Sequence, residues 1–311
     1  MSTSPRDIKR RLRSVTNTRK ITKAMELVSS VKMRKAVTTV TSARPYAEHA
    51  WEMLLTVAQT AGRDQHPLLR HEEKPKKVAV LTIASNRGLV GGFNANLTSA
   101  VSRYIKNIEQ ESGAKVETVI MGAKGRSLSH QYKIDISAEF PKEDLLLSSL
   151  EIRPMAKMLI DGFTKGEYDQ VIVAYMSFVS SLVQQPKIRQ ILPLSAADFV
   201  AGQAGIVDRE ERTHIIKEER EDISQHEYLF EPNADNLLDA LLPRLVEMQI
   251  YRAVLETNAA EHAARMVSMK NASDSAQDLI SDLTLSYNQA RQAAITQDLS
   301  EISAGRAALE G

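Results

Sequence analysis

Cysteine is absent from all 311 positions, which removes disulfides, thiol switches, iron–sulfur clusters and cysteine-type zinc sites from this chain. Aromatic side chains are scarce at 5%, and only 13 glycines and 10 prolines punctuate the sequence. No apolar run comes near the roughly 20 residues that cross a bilayer. The opening MSTSPRDIKRRLRSV turns charged at once and lacks the apolar centre of a secretory signal. These absences lead to the expectation of a soluble intracellular protein. With 43% hydrophobic and 25% charged residues, the chain can bury a core as one large domain or two modest ones.

Glycine and proline say most where they are missing. Eleven of the 13 glycines lie between Gly62 and Gly205, and neither residue type occurs between Arg6 and Arg44 or between Arg244 and Ala304. The second window, about 60 residues at about 1.5 Å each, would span on the order of 90 Å as one helix. Globular helices usually run about 8–20 residues, so patterns this long point to a coiled coil, a membrane span or a repeat. The charges rule out the span and no repeat is visible, which leaves the coiled coil.

Apolar residues at both ends carry the spacing such a pairing needs. Ile8, Leu12 and Val15 are set four then three apart, and Ile21, Met25 and Val28, then Met33, Val37 and Val40, repeat it. Toward the C-terminus come Ala260, Ala264 and Val267, then Ile280, Leu283, Tyr287, Ala290 and Ala294. The stripe is rich in alanine and reads as interrupted at Thr18, Thr22 and Asn271. Charge divides unevenly between the ends. Residues 6–44 hold 12 Lys/Arg against Asp7 and Glu26, whereas residues 244–304 hold 8 Asp/Glu against 5 Lys/Arg. Two terminal helices pairing antiparallel, with complementary flanking charge, account for both patterns.

Between the ends the period changes. KVAVLTIAS, VETVIMG, YKIDISAEF, QVIVAYMSFVSS and KIRQILPL read as strands, and FNANLTSAVSRYIKNIEQ and KEDLLLSSLEIRPMAKMLIDGF as largely helical. Alternating strands and helices predict an α/β layer around a mostly parallel sheet. The organisation expected is an N-terminal coiled-coil helix over 1–60, an α/β domain over 61–230 with a charged linker or insertion near 196–226, and a C-terminal coiled-coil helix over 231–311.

No constellation reads as an active site. SNRGLVGGFN follows the first strand but fits neither G-x-G-x-x-G nor G-x-x-x-x-G-K-[ST], so it reads as a tight turn presenting backbone to a neighbour. The seven histidines are scattered without ligand spacing, and no G-x-S-x-G turn occurs. Eleven cations within Arg6–Lys35 would attract phosphate, but no aromatics interleave to stack bases. A basic coiled-coil adaptor for nucleic acid or a membrane surface is the alternative reading.

Several blocks in order, ITKAMELV with KMRKA, ARPYAE, SNRGLVGGFNANL, YLFEP, LLDALLPR, ARMVSMKNASDSA and LTLSYNQARQAAITQDLSEI, closely resemble the gamma subunits of F-type ATP synthases of bacterial type. The resemblance covers essentially the whole chain. It implies a long antiparallel coiled coil of the terminal helices with an inserted Rossmann-like α/β domain, used as a central rotor shaft. Such a shaft transmits torque between the proton-driven c ring and the catalytic alpha/beta hexamer. The implied partners are the alpha and beta subunits, the epsilon subunit and the c ring, with no nucleic acid, and membrane contact only through the complex. The implied location is peripheral, at the cytoplasmic face of the inner membrane. Neither catalytic site, metal nor cofactor is expected in this chain, since ATP, ADP and magnesium would sit in the partner subunits. The resemblance assigns coupling or beta-subunit contact to Met25, Val90, Arg265, Arg291, Gln292, Thr296, Asp298, Ser300 and Glu301, and c-ring contact to Tyr228 and Glu231. A cation at the Met25 position is known in the family to impair coupling. Val90 stands where many members carry cysteine, and the thiol switch of the chloroplast members is excluded.

Overall fold

KVAVLTI, with β-branched and aliphatic residues at nearly every position, suits a strand covered on both faces, and it forms the middle of the sheet. In the computed structural model, which describes residues 4–60, 66–70, 72, 74–131, 134–144, 148–194 and 234–310, this strand is β1 (Lys77–Ile83). It pairs in parallel with β2 (Lys115–Met121) on one side and β4 (Gln170–Phe178) on the other. β3 (Ile136–Phe140) adds in parallel beyond β2, and β5 (Gln184–Leu192) closes the other edge antiparallel to β4. The order β3-β2-β1-β4-β5 is the doubly wound arrangement expected from alternating strands and helices. The helices are α1 (Pro5–Thr60), α2 (Phe93–Ser112), α3 (Ala123–Gln131), α4 (Arg153–Thr164) and α5 (Ala234–Glu310).

Successive residues of β1 face opposite sides, so the two faces have separate cores. Ala79, Leu81 and Ile83 join Met155, Leu159 and Phe163 of α4 and Leu242, Leu245, Val246 and Ile250 of α5. Val78 and Val80 join Phe93, Leu97 and Val101 of α2, together with Ala260 and Ala264 of α5. Hence the first strand is an unbroken apolar run from Val78 to Leu81 rather than alternating.

The chain divides into two compact units, and the division cuts both long helices. Ser30–Ala264 is the α/β unit, and Met1–Ser29 with Arg265–Gly311 is the other. Residues 30–60 and 234–264 of the helices therefore belong to the sheet-bearing unit. α5 also starts earlier than the breaker-free window, running through Pro243 from Ala234. Proline there deprives the Asp239 carbonyl of its helical N–H partner, while Leu238, Leu242 and Leu245 around it are buried and hold the helix in place.

The helical unit corrects part of the seam. Ile8, Leu12 and Val15 face inward as expected, and so do Ile280, Leu283, Tyr287, Ala290 and Ala294. Ile21 and Val28, however, are 61% and 56% exposed, and Thr22 and Ser29 are the buried positions of those turns. The reason is register. A seam holds positions seven apart, and Ile8, Val15, Thr22, Ser29 and Ala36 form that series. Thr22 is thus part of the seam rather than an interruption, its hydroxyl donating to the Arg19 carbonyl at 3.1 Å. Met269, Ser273 and Ala276 lead into the C-terminal series at the same four–three spacing. Small side chains on both helices let the axes approach closely.

Candidate functional site

Three carbonyls in a row organise the polar centre of the α/β unit. They belong to the loop after β3, and each is bonded by a different side chain. Asn86 Nδ2 donates to the Lys142 carbonyl. Asn258 Nδ2 donates to that of Glu143 at 3.4 Å, and His262 Nε2 donates to that of Asp144 at 3.1 Å. The loop's side chains add ion pairs. Lys142 Nζ pairs with Glu261, the two side chains being 0% and 3% exposed, and Lys32 Nζ of α1 reaches Asp144 Oδ2 at 3.1 Å. Asn258, Glu261 and His262 sit at i, i+3 and i+4, so they share one face of α5. Burial opposes ionisation of Asp144, but the hydrogen bond and charge of Lys32, with Arg87 and His262 behind it, draw its carboxyl below the usual range.

A second polar set ties α5 to β4. Glu256 accepts from the Ser177 hydroxyl at 3.1 Å and from Arg252 Nε at 3.3 Å. Burial, helped by the Glu256 charge and opposed by Arg189 and Arg252, pushes the Tyr175 hydroxyl up to about 12. An unfolded tyrosine ionises near pH 10. The stability that neutral Tyr175 protects is therefore complete below about pH 10 and falls as pH rises toward about 12, by roughly 1.4 kcal/mol per unit. Tyr175→Phe should flatten that alkaline limb in thermal melts taken across the same range. An unchanged slope would reject the assignment.

The glycine-spotted turn after β1 is closed on itself. The Ser85 N–H donates to Asn94 Oδ1 at 3.1 Å, Asn94 Nδ2 donates to Ser85 Oγ at 2.7 Å, and the Ser85 hydroxyl donates to the Arg87 carbonyl at 2.8 Å. Val90 packs into the core at 4% exposure, whereas Leu89, at φ 62°, stands 61% exposed. An approaching partner would meet Leu89 and backbone, not the Val90 side chain.

The other resemblance-assigned residues fall as follows. Met25 is half-buried and Arg265 buried in the helical unit, and Arg291, Gln292, Thr296, Asp298, Ser300 and Glu301 are exposed in the same unit. Ser300 donates to the Thr296 carbonyl at 2.9 Å and Gln297 to Glu301 at 2.9 Å, so these polar groups rest on their own helix. Ile295, Leu299 and Ile302 are exposed on it as well. Val90 belongs to the α/β unit, apart from that group. Tyr228, Glu231 and the segment 196–226 lie outside the described residues. Lys142, Asp144, Asn258, Glu261 and His262 escaped the sequence reading, although a Glu-His pair inside an alanine-rich helix was a usable signal. Among the described residues no three His, Asp or Glu side chains are grouped to hold a metal, and no helix is long and apolar enough to cross a membrane.

The family profile described as ATP synthase matches residues 4–309. The ATP synthase gamma chain of Herpetosiphon aurantiacus is 40% identical over 313 residues, covering 98% of this chain and 99% of that protein. The gamma chain of Roseiflexus castenholzii is 41% identical over 307 residues, covering 98% of each. Among solved structures, a chain of the Euglena gracilis mitochondrial ATP synthase (OSCP/F1/c-ring, rotational state 3) aligns with a TM-score of 0.62 at 18% identity, covering 98% of this chain and 94% of that one. A chain of the Tetrahymena thermophila central stalk/c-ring structure aligns at 0.56 and 22% identity, covering 81% and 99%. With two long terminal helices, a doubly wound sheet and matches along nearly its full length, this chain belongs to the ATP synthase gamma chain family.

Proposed function

We propose that this chain is the central rotor shaft of an F-type ATP synthase, carrying torque between the c ring and the alpha/beta hexamer. The observation that carries this is the match to gamma chains at about 40% identity across 98% of the sequence. The geometry suits the task, because two helices joined by a seam of small residues brace one another. From Ile295 to Arg306 α5 is exposed on every side, offering a surface for a surrounding partner. The whole-chain matches favour the shaft over the basic adaptor.

The chain itself holds no nucleotide in this reading, and ATP, ADP and magnesium belong to the alpha and beta subunits. The turn after β1 supports that view, since Ser85, Asn86 and Asn94 are committed to protein partners. The assembled enzyme sits at a membrane, and we place this subunit at its cytoplasmic face, touching the c ring and epsilon. Met25, Arg265 and the exposed positions from Arg291 to Glu301 are the residues proposed to meet beta.

The test is co-expression with alpha, beta and the remaining subunits. This chain should co-purify in a complex that hydrolyses ATP and pumps protons. Met25→Lys should leave assembly intact while lowering protons pumped per ATP hydrolysed by roughly two- to thirtyfold. The new cation would attract acidic beta surface, an attraction each rotational step must break. Failure to co-purify, or equal losses of assembly and pumping, would count against the reading.

A further inference from the structure

We infer that residues 142–144 act as a rotational key, fixing the setting of α5 about its own axis inside the α/β unit. The inference rests on the shaft reading, because a key matters only in a part that bears torque.

From Ala253 to Ala264 the helix is buried all round, and five of those twelve residues are alanine: Ala253, Ala259, Ala260, Ala263 and Ala264. Apolar contact is non-directional. Around Ala259, Ala260, Ala263 and Ala264 a turn about the axis exchanges one small side chain for another, and the contacts there re-form. Packing alone therefore resists such a turn weakly. Hydrogen bonds weaken steeply as their angle closes, so they resist it. Asn258, Glu261 and His262 supply three of them from one face, to the Glu143 carbonyl, the Lys142 ammonium and the Asp144 carbonyl. Glu256, two residues before Asn258 and so about 200° away around the helix, is held by Ser177 of β4. Any rotation breaks bonds on two sides together. The same loop also holds α1 through Lys32 and the β1–α2 turn through Asn86. Both long helices and the sheet thus meet on three consecutive residues.

The experiment uses the assembled complex in proton-tight vesicles. Lys142→Met with Glu261→Met replaces the buried pair by apolar side chains of similar length, so neither member of the pair stays buried and charged. Asn258→Leu with His262→Leu removes the two bonds to the Glu143 and Asp144 carbonyls and serves as an independent second variant. Each should assemble, hydrolyse ATP and pump roughly twofold or more fewer protons per ATP, a deficit larger than the modest fall in melting temperature that lost hydrogen bonds bring. The deficit should widen as the opposing proton gradient is raised. Wild-type pumping in both variants against the steepest gradient would overturn the key. So would a fall in pumping that only tracks a fall in melting temperature or assembly, since that marks a structural role. If the wild-type complex itself fails to couple hydrolysis to pumping, the shaft reading fails instead, and the two failures are distinct.

Discussion

Lys142→Met alone should destabilise the chain by roughly 3–5 kcal/mol, because it takes from the buried Glu261 carboxylate the ammonium it pairs with. Glu261 is 3% exposed on a helix surrounded by core, and its ion-pair partner comes from a loop 119 residues away in sequence. Water cannot replace the lost ammonium without opening that packing. For a chain of this size the loss corresponds to a fall in Tm of about 5–8 °C. The paired variant Lys142→Met/Glu261→Met should recover most of it, since neither charge is then buried. Calorimetry on the four members of the cycle measures the coupling directly. A single variant that melts within about 1 °C of wild type would show that Glu261 is accessible to water or otherwise compensated.

That ion pair also shows where sequence reading stopped. Strands with long apolar runs were legible because burial on both faces writes itself into consecutive residues, as KVAVLTI does. The C-terminal seam was legible because Ile280, Leu283, Tyr287, Ala290 and Ala294 keep the four–three spacing amid mostly polar neighbours. The N-terminal seam was misread between residues 21 and 29, where apolarity and register part company. Ile21 and Val28 are the apolar residues, but Thr22 and Ser29 continue the series from Ile8. Sevenfold spacing, counted from the unambiguous start, would have found them. Nothing local announces that Lys142 meets Glu261 or that Asn86 reaches the Lys142 carbonyl, because side chains distant in sequence become neighbours only through the strand order. That Val90 is buried while its neighbour Leu89 is exposed was illegible for a different reason. A positive φ at Leu89 turns its side chain outward, and apolar character alone does not report that.

Gly122→Ala should be comparably damaging, on the order of 2–6 kcal/mol, from two costs that add. The residue ends β2 with φ +103°, a conformation in which an L side chain is strained by roughly 1–3 kcal/mol. A Cβ there would stand 2.4 Å from the Ala84 carbonyl oxygen, a backbone atom that cannot swing aside. Relief requires moving the end of β1, which overpacking data put at roughly 1–3 kcal/mol more. The displacement would not stay local. The Ala84 N–H donates to the Met121 carbonyl at 2.8 Å, the Lys124 N–H to the Ser85 carbonyl at 2.9 Å and the Gly122 N–H to the Phe140 carbonyl at 3.2 Å. Ser85 in turn anchors the β1–α2 turn through Asn94, so Leu89 and Asn86 should shift with it. Denaturant melts read the stability loss, and hydrogen exchange at residues 85–94 reads the loosened turn. Gly88→Ala is the matched control, because nothing lies within 4 Å of its Cβ position and it carries no positive φ. If the two substitutions cost the same, the close approach of β1 and β2 at Gly122 is not what demands glycine there.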